Sequence, residues 1–477
     1  MKITNRVHSR IITIMLLLIC PTANAITSGK TFFKPRATGQ DAVLTQAMNI
    51  AFVNQEDPCL AIDTTTFYQQ STNADDLARY FFPNCKSEII IKEQVDSQTD
   101  VWAGWLGISG LTGNFASTVA IRPRHRSFGT VVHLHKNLSH SVKNMWMSAT
   151  MPFVQVEHDL NLTECCRQDA ALSFDQLPVQ AQLCAAESSL NACQAFRHPL
   201  LRYAKMKNGV QKLAGLADIT FNLGYTYEHE QKKCIARLYG SFIAPMGYKP
   251  NPEYAFAPII GNGRHFGFGA GADLEFELSH TDHHRASLIS HFTYHYLLRG
   301  VEKRTFDLTS RGPWSRYVSV LDNNNKAIGF QFAANFLTQE MFITPKSVIN
   351  YMLSLRGTTR SSFRYEMGYN MYYRAEEDVR LRNPLPTNIL LTDIPFTIAQ
   401  DSGPAPDTNT PLNTCDADLR SATHPTILSH QFYMATGFAG TIHHNPCEMS
   451  VGGSYEFAHK NVSIDKWGLF FKINLAI

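Results

Sequence analysis

The sequence predicts an all-β fold, a transmembrane up-and-down antiparallel β-barrel of about 12 strands. Three observations support this fold: long runs in which apolar and polar residues alternate, an orderly succession of short and long connections between those runs, and an alternating apolar run at the end of the chain. The composition agrees, because the 477 residues are 44% apolar and only 17% charged, below the ~25% of typical soluble domains.

The alternation is clearest between Phe266 and Leu278, where every second residue is apolar and the residues between them are glycines and acids. Successive side chains of a strand point to opposite faces, so one face of this strand is wholly apolar. Runs that begin at Ile219 and Phe363 show the same pattern. Strands of soluble domains average about five or six residues, whereas runs of 10 to 13 residues match the ~25 Å apolar band of a membrane barrel.

The connections between the predicted strands give a second argument. The strands are predicted at 116–122, 128–136, 144–157, 215–228, 232–243, 265–278, 285–298, 348–356, 361–374, 429–441, 448–458 and 465–477. The connections after the third, fifth, seventh and ninth strands are long, at 158–214, 244–264, 299–347 and 375–428. The connections after the even-numbered strands are short. Short periplasmic turns and long extracellular loops are typical of outer-membrane barrels.

The chain begins with an export signal in this interpretation. Lys2, Arg6 and Arg10 precede the apolar run 11–19, and Ala23-Asn24-Ala25 is a small-residue cleavage pattern. We therefore expect a signal peptide at 1–25, an N-terminal periplasmic extension or plug at 26–100, and the barrel at 101–477. A flexible leader held by one disulfide is an alternative for the second segment. Helix-compatible stretches lie at 41–52 and 75–80.

Export also bears on the cysteines and the net charge. Nine cysteines follow the signal peptide, and in an oxidising compartment they more often form disulfides than bind metal. The disulfide candidates are Cys59 with Cys85, and some pairing among Cys165, Cys166, Cys184 and Cys193. The exported chain has 40 Lys and Arg against 40 Asp and Glu. This balance argues against a nucleic-acid partner.

The last residues carry a resemblance to a known class. Trp467, Leu469, Phe471, Ile473 and Leu475 alternate with Gly468, Phe470, Lys472, Asn474 and Ala476 up to Ile477. This run resembles the C-terminal strand signal of bacterial outer-membrane β-barrels, although an aromatic residue usually stands at the last position. The resemblance implies location in the cell outer membrane. It also implies two partners, the lipid bilayer and the barrel-assembly machinery.

A weaker and more local resemblance covers about residues 213–272. Gly215-Leu216-Ala217-Asp218-Ile219, then Pro245-Met246-Gly247, then a glycine-rich strand are similar to the outer-membrane family of the meta-pathway of phenol degradation. That family is presumed to admit hydrophobic compounds. The likeness covers about an eighth of the chain and is taken as an indication of barrel lineage, not of substrate.

Charged residues on the polar faces of the predicted strands are the candidate lumen-lining residues. They are Glu228, Arg237, Asp273, Glu275, Glu277, Arg356, Arg364, Glu366, Arg374, Glu456 and Lys472. Acids concentrate in the strand 265–278 and arginines around 356–374. Opposed acidic and basic walls are a porin-like arrangement. The alternative is that the two signs meet as salt bridges and fill the interior.

The residue pattern gives no support for an enzyme. Histidines cluster at His280, His283, His284, His291 and His295, with a pair at His443 and His444, and we interpret both groups as solvated turn residues. Gly261-Asn262-Gly263-Arg264-His265 is interpreted as a turn that leads into a strand. Nucleotide-binding and zinc-protease motifs are absent from the sequence, and no cofactor, metal ligand or catalytic residue is expected.

These observations favour an outer-membrane barrel that acts as a porin-like passive channel or transporter for small solutes. The alternative is a structural or surface-interaction protein that acts through its long extracellular loops, and a third possibility is a soluble secreted β-protein. The oligomeric state is left open by the sequence.

Overall fold

A computed structural model describes residues 26–49, 60–106, 108, 115–139, 141–168, 191–229, 233–322, 330–359, 362–391, 410–443 and 445–477. Twelve of its strands form a closed antiparallel barrel. They are β1 (Leu60–Ser71), β2 (Arg124–Asn137), β3 (Met145–Asp159), β4 (Ile219–His229), β5 (Cys234–Ala244), β6 (Gly267–His280), β7 (His284–Leu297), β8 (Lys346–Thr359), β9 (Phe363–Arg374), β10 (Ile427–Ile442), β11 (Asn445–Ala458) and β12 (Lys466–Ala476). Strand β1 pairs with both β2 and β12, which closes the barrel and confirms the predicted fold class.

The outer surface of the barrel carries the apolar residues that the alternation predicted. Leu238 of β5 is 62% exposed and Phe268 of β6 is 54% exposed, whereas Asp273 of β6 is only 6% exposed. Closure leaves no free strand edge around the ring, so the backbone groups of the wall are paired within it. An apolar outer face on a closed barrel is the arrangement that a lipid bilayer requires.

The first strand of the barrel differs from the prediction. Residues 116–122 were expected to begin the barrel, but Ala116–Ala120 pairs with Glu88–Lys92 outside the ring. The barrel begins at β1, which lies inside the segment 26–100 that was expected to be an extension. The outward residues of β1 include Thr64, Thr66 and Gln70, so this strand lacks the apolar contrast that marks the other strands. The boundary at residue 101 is therefore wrong.

Connections at the two ends of the barrel differ in length as predicted. At one end, the turn end, the strands are joined by 138–144, 230–233, 281–283, 360–362 and 443–444. At the other, the loop end, the connections are 72–123, 160–218, 245–266, 298–345 and 375–426, with a shorter one at 459–465. Both β1 and β12 have their outer termini at the turn end, where the Leu60 and Ile477 backbones exchange hydrogen bonds of 3.0 and 2.7 Å.

The long loops fold together into a cap above the loop end. Its strands are Glu88–Lys92, Val101–Trp102, Ala116–Ala120, Thr163–Gln168, Gly300–Thr305, Asp307–Leu308, Ser319–Asp322, Phe330–Phe332, Thr338–Thr344, Asp378–Leu381, Ile389–Leu391, Thr410–Pro411 and Ala417–Asp418. Its helices are Ala74–Phe81, Ala192–Ala195 and Ala334–Leu337, with 3₁₀ turns at Ala103–Leu106, Ser315–Tyr317 and Thr414–Asp416. Buried residues such as Trp314, Phe82 and Leu337 give the cap an apolar core of its own.

Two of the long loops are described in part. The stretch 158–214 contains the helix Ala192–Ala195, and residues 169–190 lie outside the described part. The stretch 383–428 contains short strands and one 3₁₀ turn, and residues 392–409 lie outside that part. In the described residues, no helix is long and apolar enough to cross a membrane.

The N-terminal segment passes through the barrel. Gly29 and Lys30 donate backbone hydrogen bonds to Phe82 and Tyr80 in the cap. Residues 34–49, here called the lumenal segment, then run toward the turn end, where Asn474 of β12 donates to the Met48 carbonyl at 2.7 Å. They contain a 3₁₀ turn, Thr38–Gln40, and a short helix, Ala42–Gln46. Residues 26–33 thus lie against the cap, and residues 34–49 lie inside the barrel.

The cysteine predictions have two outcomes. Cys59, Cys184 and the Cys166 side chain lie outside the described residues, while Cys85 and Cys193 carry free thiols. The described residues give no support for a Cys59–Cys85 disulfide. Leu60 begins the 12-residue strand β1 at the turn end, whereas Cys85 follows that strand in the cap; such a strand spans about 40 Å, whereas a disulfide needs Cα atoms within about 7 Å. Pairing among the other candidates stays a prediction.

Candidate functional site in the barrel lumen

One arginine attaches the lumenal segment to the barrel wall. The Arg36 guanidinium donates to Asn350 of β8 and Asn370 of β9, each at 2.8 Å. It also donates at 3.3 Å to Gln431 of β10 and to Glu456 of β11. A planar guanidinium offers five donors in a fixed geometry, so a single side chain can bridge four neighbouring strands.

Further polar contacts hold the segment to the same half of the wall. Lys472 of β12 donates to the Ala47 carbonyl at 2.7 Å, and the Met48 amide donates to Glu366 of β9 at 2.9 Å. Asp41 accepts a hydrogen bond of 2.9 Å from Gln69 of β1. The lumenal segment is thus bound along β8–β12 and β1. Its own backbone groups find partners in wall side chains, as buried backbone requires.

The opposite half of the wall leaves space beside the segment. A cavity of about 50 Å³ lies between residues 39–46 and strands β3, β4, β5, β7 and β8. A second, of about 20 Å³, lies between Gln46, Asn49 and strands β2–β6. Gln46, Asn222 and Tyr239 line both cavities, which we call together the polar passage. Along β5 it extends from Arg237 to Ile243, which is roughly 20 Å of strand.

Most of the predicted lumen-lining residues face the interior of the barrel. Asp273, Glu275, Arg356, Glu366, Arg374, Glu456 and Lys472 are buried, and Arg237 and Arg364 are half-buried. Arg374 donates to the Lys34 carbonyl of the lumenal segment at 3.0 Å. Glu228 is exposed at the end of β4, and Glu277 lies at the turn end of β6, where it pairs with Lys233 at 2.5 Å.

The acidic and basic walls do not face each other across open water. Arg356 pairs with Glu366 at 2.7 Å on the neighbouring strand, and Arg364 pairs with Glu448 of β11. On the acidic side, Asp273 accepts from His291 at 2.5 Å. On the wall, the acidic strand β6 and the basic strand β8 are separated only by β7. The sequence allows either opposed charged walls or salt bridges that fill the interior. The contacts of Arg356 and Arg364 correspond to the second arrangement.

The histidine prediction is correct for one end of the cluster and wrong for the other. His280 and His284 flank the turn 281–283, at the rim of the barrel. His291 and His295 are buried on the inner face of β7. They are four residues apart, and residues an even number apart in a strand share a face. The His295 Nε2 atom lies 2.9 Å from the Ser241 hydroxyl. His265 is also buried, and its Nε2 atom bonds to Glu302 at 2.8 Å; it is not a simple turn residue.

A buried ion cluster joins the cap to the start of the lumenal segment. Arg304 bonds to Glu302 at 2.6 Å and to Glu377 at 2.5 Å, and all three side chains are inaccessible to solvent. Lys34 lies 3.8 Å from Glu377. Burial alone would raise the pKa of both carboxyls, but Arg304 outweighs it: the pKa of Glu302 is lowered to about 2, and that of Glu377 is lowered further.

This cluster predicts a pH dependence of cap stability. Both folded-state pKa values lie below the unfolded value of about 4.3, so the stabilisation is complete above about pH 5 and declines as the pH falls toward 2. We expect the unfolding midpoint of the wild type to exceed that of Glu302→Gln, and the gap to narrow over that range. Near-UV circular dichroism during heating measures it. A gap that is constant with pH would contradict the assignment.

The motifs that carried the weaker resemblance meet at one carboxylate. Asp218 lies where Gln211–Leu216, paired with β3, continues into β4. Its side chain accepts hydrogen bonds from the amides of Gly247, at 3.0 Å, and Asn262, at 2.6 Å. Gly261 between them has a positive φ of 76°, which favours glycine. Since the Asn262 carbonyl accepts from Lys34 at 2.7 Å, this junction supports the entry of the lumenal segment.

Several lumen residues are not marked by the sequence pattern. Arg36 lies in a segment with no periodicity, and its partners on the barrel wall are more than 300 residues away. Trp146 and Asn222 are inward residues of strands that were predicted correctly. The alternation places both on inward faces, where their neutral side chains have no charge to distinguish them.

Comparisons with known proteins extend only to solved structures. The sequence matches no family model and no curated protein. An outer membrane channel from Pseudomonas putida F1 aligns over 88% of this chain and 97% of its own, with a TM-score of 0.39 and 9% identity. A Pseudomonas aeruginosa FadL homologue covers 88% and 90%, with a TM-score of 0.29 and 9% identity. The alignment with the CymD monoaromatic hydrocarbon channel covers 91% of both chains, with a TM-score of 0.28 and 9% identity.

The closed antiparallel ring, its outward apolar surface and its long loops at one end define a bacterial outer-membrane β-barrel. The chain is therefore a protein of the cell outer membrane. Within that class it is a barrel with a folded cap and a lumen that its own N-terminal segment partly fills.

Proposed function

We propose that the chain is an outer-membrane channel for small solutes, in which the lumenal segment narrows the pore and the polar passage is the route. The observation that carries this proposal is the unequal polar attachment of the segment. Arg36, Lys472 and Glu366 bind it to one half of the wall. The other half packs against it through apolar residues such as Val131 and Val154 and leaves the two cavities of the polar passage beside it. A plug whose only role was to seal the barrel would have no need of polar space on one side. No catalytic step is included in the proposal.

The folded cap favours a second candidate. Its buried apolar core and its ion cluster hold the loops together as one folded unit, in place of separate loops. A surface-interaction protein that acts through its loops would need such a body, but would have no use for a polar passage. Conductance separates the two functions.

The conductance test uses the arginine that anchors the segment. Wild-type protein in a planar bilayer should give small single-channel currents, and Arg36→Ala should raise the open conductance several-fold, because the segment loses its bonds to four strands. Arg382→Ala is the matched control, since Arg382 pairs with Glu340 on the exposed cap surface at 2.6 Å. It should behave as the wild type does. Folded protein that carries no ionic current in any of the three forms and admits no neutral solute in a liposome-swelling assay would overturn the channel proposal and favour the cap.

A further inference from the structure

The polar passage contains buried polar atoms that lack hydrogen-bond partners. Gln40 Nε2, Trp146 Nε1 and His295 Nδ1 are such atoms, and each of the three residues is 6% exposed. Asn222 Oδ1 is a fourth, on one of the three residues that line both cavities. Gln40 and His295 line the larger cavity and Trp146 lines the smaller. Buried polar groups are nearly always satisfied, so a group of four along one passage indicates a ligand.

These four atoms are all neutral. Two charged side chains line the smaller cavity, Asp273 and Arg237. Asp273 accepts a hydrogen bond from His291 at 2.5 Å, and Arg237 lies directly opposite Asp273 on β5. The amide and indole nitrogens are donors and the amide oxygen is an acceptor. Because Nε2 of His295 contacts Ser241, its Nδ1 atom is a donor in one tautomer and an acceptor in the other. The passage therefore offers both kinds of neutral hydrogen bond and leaves no unpaired charge among these groups.

A hydroxyl group is the ligand group that suits this set, because it donates and accepts at once. Aromatic surface is also present: the rings of Trp146 and Tyr239 contact each other with centroids 5.4 Å apart. The cavity of about 50 Å³ exceeds the ~10–15 Å³ that one water needs, so a short run of hydroxyl groups fits along it. An ion would have to leave its hydration shell for neutral partners, at a high cost.

We propose that the polar passage selects small neutral polyhydroxylated solutes over ions, with Gln40, Asn222, Trp146 and His295 replacing the water that such a solute loses. This inference rests on the proposed channel function and names its substrate class. The lumenal segment supplies Gln40, so the segment is part of the selective site as well as an obstruction.

Proteoliposome swelling with glycerol and erythritol tests the inference, alongside conductance in potassium chloride. The wild type should admit both polyols. Gln40→Met with Asn222→Leu removes two of the neutral partners at similar volume and should slow polyol entry about tenfold, as the loss of one or two hydrogen bonds predicts. Arg382→Ala, on the exposed surface of the cap, is the control outside the lumen: it should leave both the polyol rates and the conductance unchanged.

The outcomes separate the two levels of the proposal. Ion conductance with no polyol entry in the wild type would overturn the substrate class and keep the channel. Polyol rates that do not change in the double variant would show that the four atoms hold water only, which also overturns the inference. Absence of both conductance and swelling would count against the channel itself. Each single variant is measured as well, so that a folding defect in the double variant still leaves a decisive comparison.

Discussion

Arg304→Ala should destabilise the cap by about 3–5 kcal/mol, the cost of removing one partner from a buried ion pair. The Arg304 guanidinium bonds to Glu302 at 2.6 Å and to Glu377 at 2.5 Å, and also donates to the Ala422 carbonyl at 3.0 Å. Its removal leaves two buried carboxylates close together without their main cation. Lys34, 3.8 Å from Glu377, compensates in part. Chemical unfolding followed by near-UV circular dichroism measures the change.

The cap offers a matched control for this prediction. Arg382 and Glu340 form the same kind of pair at 2.6 Å, but their side chains are 48% and 52% exposed. Exposed pairs contribute only about 0–1 kcal/mol, so Arg382→Ala should leave the unfolding midpoint almost unchanged. Equal effects of the two substitutions would show that burial does not set the strength of the Arg304 cluster.

The regular part of the fold could be predicted from the sequence because lipid imposes one rule on every strand. The strand predicted at 361–374 is observed at Phe363–Arg374, and that predicted at 265–278 is observed at Gly267–His280. In both, outward residues must be apolar, and the residue period of two is visible in the chain itself. The same rule placed Glu366 and Asp273 on the inner face.

The rule fails where a strand has polar residues on its outer face, or where a segment lies inside the barrel and does not contact lipid. Strand β1 carries threonines on its outer face, and its assignment depends on pairing with β12, some 400 residues later. The lumenal segment has no period at all, because its position is set by side chains from many strands, and Arg36 alone has partners on four. Such long-range polar contacts leave no local pattern in the sequence. A filled lumen could therefore be stated only as the alternative to an open one.

The lipid face should show the largest effect of a single outward substitution. Leu238 is 62% exposed and lies near the middle of β5, Cys234–Ala244. An arginine at the bilayer midplane costs about 2–4 kcal/mol, and near the interfaces about 0–1 kcal/mol. We therefore expect Leu238→Arg to lower the free energy of unfolding in lipid vesicles by the larger amount. Phe268→Arg, one residue from the loop end of β6, should cost less.

Val95 supplies the control that separates lipid from water. It is 69% exposed in the cap, outside the barrel wall, and so resembles Leu238 in exposure but not in surroundings. Val95→Arg should leave stability unchanged, because water solvates the new charge, whereas hydrocarbon does not. A graded series, with Leu238→Arg most costly, Phe268→Arg intermediate and Val95→Arg neutral, would locate the bilayer along the barrel axis. Three equal values would mean that the exposed apolar surface of β5 and β6 does not contact lipid.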